Sequence, residues 1–222
     1  MTRLAIFDLD GTLLNTIGDL AVSCNAVLAL RGLPQHSYED YCRFVGNGIM
    51  RLVERALPEA LRTPYTVDAV RRDFVAYYLA HIDEHTLPYE GIPELLDELQ
   101  RRGVRLAVAT ASRREHFLPC LSRHGVLGFF DAVVTTDDAG CGKSSPAIFE
   151  LAARQLSLPP QSCAVLEDTL PAARTAARAG CVPFGVYEKH SAGARPEMEL
   201  VCRGYFETLF DACSSPLLWK EP

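Results

Sequence analysis

The residues best suited to chemistry stand near the start of the chain, in the run Phe7-Asp8-Leu9-Asp10-Gly11-Thr12. Side chains two apart on a strand point the same way, so Asp8 and Asp10 start on one side. They follow directly on the apolar segment Leu4-Ala5-Ile6-Phe7, and ligands of open α/β sheets bind beyond such strand ends. Gly11 permits a sharp turn there, and backbone N–H groups exposed by it could hold an anion. Two acids closing a strand are also an ordinary solvated pair, and the Gly-Thr that follows sets this group apart.

Elements must hold these residues in place. Besides Leu4 to Phe7, short apolar runs recur at Val104 to Thr110, Ala132 to Thr135, Cys163 to Leu166 (which ends on Glu167-Asp168) and Val182 to Val186. Runs this short and continuously apolar suit strands covered on both faces, as in a parallel sheet. Helical patterns lie between them. Ile92, Leu95, Leu96 and Leu99 share a face before Gly103, and Phe117, Leu118 and Leu121 precede Gly125. Another helix follows Pro146, and Ala172 to Ala179 is a small-residue helix closed by Gly180. Strands alternating with helices predict an α/β fold, a doubly wound, mostly parallel sheet. The stretch 15–88 breaks the alternation with helical patterns at Leu20 to Leu30, Ile49 to Leu57 and Val67 to Leu79. We therefore expect an α/β core of residues 1–14 plus 89–222 and an inserted helical domain of 15–88. Ser214 to Pro222 reads as a frayed terminus.

Bulk properties narrow the class. The 222 residues are 48% hydrophobic and 23% charged, with a formal net charge of −6. That balance gives no electrostatic case for a nucleic-acid or anionic-membrane partner. No apolar run is long enough to span a bilayer and no signal peptide is evident, so a cytoplasmic protein is expected, as a monomer or a homodimer. The eight cysteines are scattered without metal or redox spacing and read as buried, reduced thiols.

Phe-Asp-Leu-Asp-Gly-Thr-Leu-Leu after an apolar strand resembles the first motif of the haloacid dehalogenase superfamily of phosphatases. The later motifs have counterparts in order. Thr110 ends its strand, Lys143 stands in Gly142-Lys143-Ser144-Ser145-Pro146 before a helix, and Glu167-Asp168-Thr169 resembles the acidic motif. Singly, each has a plainer explanation: a turn-forming threonine, a solvated lysine, acids capping the next helix. Their order along the chain is what favours the family. The resemblance implies a phosphatase with the family's Rossmann-type core and a Mg2+ cofactor bound by Asp8, Asp168 and the backbone carbonyl of Asp10, with Glu167 in the metal shell directly or through water. It implies that Asp8 attacks phosphorus to give an aspartyl-phosphate. Asp10 would be the general acid and then the general base. Thr110 and the N–H groups beside it, at Ala111, would orient phosphoryl oxygens, and Lys143 would offset their charge.

The inserted segment looks like the cap domain of one branch of this family. Phe44 to Leu57, with Gly46-Asn47-Gly48, is similar to the cap segment of bacterial phosphoglycolate phosphatases. It makes Arg43, Asn47 and Arg51 candidates for contact with a small phosphorylated metabolite, or else parts of an ordinary interhelical turn. Departures are Asn15-Thr16, Thr110-Ala111-Ser112, Ser144-Ser145-Pro146, and Ala172 where a second acid is usual. The Glu-Asp form is closer to sugar phosphatases and β-phosphoglucomutase-like phosphotransferases. A phosphorylation-dependent signalling module and a non-catalytic binding protein are remoter alternatives.

Overall fold

The computed structural model describes residues 3–45, 48–82 and 84–218. Six strands form one sheet: β1 (Leu4–Phe7), β2 (Arg105–Thr110), β3 (Ala132–Thr135), β4 (Cys163–Glu167), β5 (Val182–Val186) and β6 (Gly204–Phe206). They lie in the order β3-β2-β1-β4-β5-β6, and every pairing is parallel. The continuous apolar runs follow from burial on both faces. Ala5 and Phe7 of β1 enter one core with Leu106, Val108, Ala164 and Leu166, whereas Leu4 and Ile6 enter the other with Ala107, Ala109, Cys163 and Val165.

Helices cover both faces. Ile92–Arg101, Arg114–Arg123 and Leu209–Ser214 supply the first core with Leu95, Leu99, Phe117, Leu121 and Leu209. Ala147–Gln155 and Leu170–Arg178 supply the second with Ile148, Phe149, Ala152 and Ala176. This is the doubly wound α/β architecture expected from the sequence. The chain builds outward from β1 through β2 to β3, then crosses to β4 on the other side of β1. The strand order reverses at β1, and the crevice beyond its carboxyl end is where such sheets take ligands.

Two features were not foreseen. Edge strand β6 has only three residues, Gly204-Tyr205-Phe206, and pairs with β5 from Phe184↔Gly204 onward. A Cβ on Gly185 would meet the Tyr205 ring at 2.4 Å, so this pairing needs glycine there. The frayed terminus is the second correction. Pro216–Leu218 forms a 3-10 turn, and Leu218 is fully buried with Phe206, Leu209 and Ala212 in the first core, which anchors the chain that far. Trp219 to Pro222 lie outside the described residues.

The chain divides into two compact units, Met1–Asn15 with Pro88–Pro222, and Thr16–Leu87. The second is helical, with Ile17–Leu30, Tyr38–Phe44, Gly48–Ala56 and Pro64–Ala80 around a core that includes Cys24, Leu28, Tyr41, Val53, Val70 and Phe74. Tyr38–Phe44 is too short for its periodicity to be read, but its capping box is explicit in sequence as Ser37 and Asp40. The buried Asp19 carboxylate accepts from the His85 N–H at 2.6 Å and from the Thr86 hydroxyl, holding the returning segment of the same unit. Among the described residues no helix is long and apolar enough to cross a membrane. All eight cysteines are free thiols. Five are buried, and Cys141, Cys202 and Cys213 are half-buried.

Candidate active site

Asp8 follows β1 immediately, and its N–H still donates to the Leu166 carbonyl of β4 at 3.0 Å. The backbone then turns through Gly11 at φ +89°. A Cβ there would meet Asp168 Oδ2 at 2.7 Å, so the Asp168 carboxylate lies against bare glycine backbone. Several N–H groups of the turn are engaged within it. Leu9 donates to Asp8 Oδ1, Gly11 to the Leu14 carbonyl, and Leu13 and Leu14 both to the Leu9 carbonyl.

Asp8, Glu167 and Asp168 are all buried, and each offers a carboxylate oxygen within 4.8 Å of the others. Glu167 is the last residue of β4 and Asp168 the next. Lys143 reaches them from the loop that precedes Ala147–Gln155. Its Nζ lies 2.5 Å from Asp8 Oδ1 and 2.8 Å from Glu167 Oε2. That loop is pinned where Arg178 donates to the Ser144 carbonyl at 2.8 Å. The Thr169 hydroxyl donates to Glu167 Oε1 at 2.7 Å, leaving Glu167 well fixed.

Burial and the neighbouring Glu167 carboxylate push Asp8 well above the usual carboxylate range, against the pull of Lys143. Burial likewise raises Glu167. Burial disfavours the Lys143 charge, but Asp8 and Glu167 outweigh it and hold the ammonium above its ordinary value. Three carboxyl groups thus crowd around a single ammonium. Asp168 Oδ2 is buried without an aligned hydrogen bond. Hard oxygen donors, one of them unsatisfied, fit a cation such as magnesium or calcium.

The remaining candidates sit as follows. Asp10 is half-buried and its Oδ2 accepts from the Ser112 hydroxyl at 2.6 Å. Thr110, fully buried at the end of β2, accepts from the Ser112 N–H at 2.9 Å, and Ala111 beside it is exposed. Asp8, Asp10, Thr110, Lys143, Glu167 and Asp168 therefore all stand at the carboxyl ends of their strands or in the loops beyond. Arg43 and Arg51 belong to the helical unit, where both are exposed and paired within their own helices, Arg43 with Asp40 and Arg51 with Glu54 at 2.5 Å. Asn47 lies outside the described residues.

Sequence reasoning missed Ser112, Tyr89, Glu188 and His190. His190 Nε2 lies 3.2 Å from Asp168 Oδ2, and its Nδ1 3.6 Å from Glu188 Oε1. Burial works against its charge, but the Asp168 and Glu188 carboxylates prevail and push it up to about 9. An acid and a histidine two apart, just past a strand, were the available signal.

Comparison with known proteins shows the family. A family model for haloacid dehalogenase-like hydrolases matches residues 2–180. A phosphoglycolate phosphatase of Nitrosospira multiformis is 32% identical over 217 residues, covering 95% of this chain and 93% of that one. A predicted phosphoglycolate phosphatase from Haemophilus somnus superposes with a TM-score of 0.81 at 27% identity, covering 96% and 97% of the two chains. A CbbY variant from Rhodobacter sphaeroides, in complex with xylulose-(1,5)bisphosphate, gives a TM-score of 0.71 at 25% identity, with 94% and 95% covered.

Proposed function

The chain belongs to the haloacid dehalogenase-like hydrolases and is a phosphatase of the phosphoglycolate phosphatase-like kind, and we propose that it hydrolyses a small phosphomonoester, 2-phosphoglycolate first among them, with magnesium and through an aspartyl-phosphate on Asp8. The observation that carries this reading is the contact of one buried lysine with Asp8 and Glu167 beside Asp168, whose Oδ2 has no aligned hydrogen bond.

A phosphomonoester dianion repels a carboxylate nucleophile, so the site must offset charge before Asp8 can approach phosphorus. Asp8, Glu167 and Asp168 would hold magnesium, which supplies the positive charge that offsets this repulsion and favours the ionised form of Asp8. Lys143, fixed between Asp8 and Glu167, faces the transferring phosphoryl oxygens as a second positive charge. Asp8 forms a bond to phosphorus as the bond to the leaving oxygen breaks, and Asp10 gives that oxygen a proton. Asp10 then takes a proton from the water that attacks the aspartyl-phosphate, releasing phosphate and restoring Asp8. The Ser112 hydroxyl orients Asp10, and Thr110 fixes Ser112 in turn. The helical unit Thr16–Leu87 is proposed as the cap that excludes water and selects the leaving group, with Arg43, Asn47 and Arg51 as its candidate contacts.

A second reading, a sugar-phosphate phosphatase or a phosphotransferase, is favoured by the Glu167-Asp168 pair and by the likeness to CbbY. Phosphate release measured across phosphoglycolate, sugar phosphates and nucleotides, with magnesium and with chelator, separates the two. Magnesium-dependent release that is fastest with phosphoglycolate is expected. Isomerised sugar phosphate without free phosphate would favour the transferase, and no cleavage of any phosphomonoester would overturn both.

A further inference from the structure

We propose that His190 is a positioning residue for Asp168, steering that carboxylate toward the divalent cation; the inference rests on the cation site of the preceding reading. Asp168 is only 2% exposed, and its Oδ1 accepts from the Thr12 hydroxyl at a long 3.3 Å. Its Oδ2 has no aligned hydrogen bond, and an imidazole nitrogen stands 3.2 Å away. Thr12 alone would hold this carboxylate weakly. The imidazole on its flank is the second contact of this side chain, which lies against the Gly11 backbone.

A second acid, Glu188, stands behind His190. The histidine follows β5 in the segment Tyr187-Glu188-Lys189-His190, and its side chain is 10% exposed. Nδ1 lies 3.6 Å from Glu188 Oε1. Glu188 is buried, accepts from the Tyr89 hydroxyl at 2.9 Å, and is closed on by the Lys189 N–H. A line of contacts thus runs from Tyr89, where the chain re-enters the core, through Glu188 and His190 to Asp168. Nδ1 makes no aligned hydrogen bond to Glu188, and Nε2 stands nearer to Asp168 than Nδ1 does to Glu188. Groups that orient a metal ligand from outside set the affinity of the site as much as its geometry.

The test is magnesium affinity of the full chain, read by titration calorimetry without substrate, on wild type, His190→Ala, His190→Gln and Tyr89→Phe, each checked by its melting curve. His190→Ala is expected to weaken magnesium binding roughly tenfold, within the range known for supporting groups of metal ligands. His190→Gln, whose amide N–H still reaches Asp168, should recover most of the loss, and Tyr89→Phe should shift affinity less in the same direction. Turnover lost in His190→Ala should return at high magnesium, which a merely structural defect would not allow. Unchanged or tighter binding in a folded His190→Ala overturns the proposal, as does a glutamine variant no better than alanine. Should His190→Ala fail to fold, unchanged affinity in Tyr89→Phe overturns it instead. A wild type that binds no magnesium overturns the cation-site reading and this inference with it, whereas wild-type binding with unaffected variants overturns the positioning role alone.

Discussion

The proposed reaction gives Lys143 two tasks from one place: to neutralise the carboxylates of Asp8 and Glu167 and to meet the charge of the phosphoryl group. Its Nζ is within 2.8 Å of both carboxylates, and the loop carrying it is tied down by Arg178. Lys143→Met keeps much of the stem and removes the charge. We expect kcat to fall about 100- to 1,000-fold, the cost of deleting one preorganised electrostatic contact to a developing charge. Steady-state kinetics on a variant shown to be folded by circular dichroism checks this. Retained turnover would leave Lys143 a structural counter-ion only. The neighbouring Asp10–Ser112 contact illustrates the limit of sequence at this scale. Thr110-Ala111-Ser112 is visible as a strand-end hydroxyl segment, but which hydroxyl meets which acid depends on the approach of β1 to β2.

At the scale of elements, the one-turn helix Thr136–Ala139 continues from β3 toward the lysine loop. A single turn has almost no helical stability of its own. Its capping box supplies it: Asp138 Oδ2 accepts from the Thr135 N–H at 2.7 Å and the Thr135 hydroxyl at 2.8 Å, and Arg114 pairs with the same oxygen at 2.7 Å. Burial raises the Asp138 carboxyl, yet those donors outweigh it and hold it below the ordinary carboxylate range. A depressed folded-state value means that the stabilisation is present above the unfolded-chain pKa, about 3.9, and is lost as pH falls through the folded one. Asp138→Ala should therefore cost about 1 kcal/mol at neutral pH, and the gap to wild type should close as the solution is acidified. Urea titrations across pH measure both, and a gap independent of pH would contradict the capping role.

The elements also explain what could be read beforehand. β1, β2, β4 and β5 are legible because each is buried on both faces and so is apolar at nearly every position. The half-buried edge strand Gly204-Tyr205-Phe206 carries neither alternation nor an apolar run. Leu218 looks like tail residue until the first core closes over it. Asp8, Lys143, Glu167 and Asp168 could be placed because they follow strands or precede a helix in a set order. His190 and Tyr89 could not, because their meeting at Glu188 and Asp168 requires β4 beside β5 and the chain returning past β1.

For the molecule as a whole, the division of the chain separates two questions. The α/β unit holds, at one end of one sheet, the side chains to which the proposed phosphoryl transfer is assigned. The helical unit has its own core and its own capped helices, and choice of leaving group is assigned to it by proposal. Substrate preference can therefore vary while the Asp8 chemistry stays constant. Covalent transfer to Asp8 is the step on which the proposed mechanism depends. Enzyme mixed with substrate labelled in its phosphoryl group, in the presence of magnesium, and quenched in acid during turnover should carry label on the peptide containing Asp8. The label should be sensitive to hydroxylamine and absent from Asp8→Asn, which should also release no phosphate. Phosphate release by Asp8→Asn, or label found on any other residue during turnover, would contradict the account.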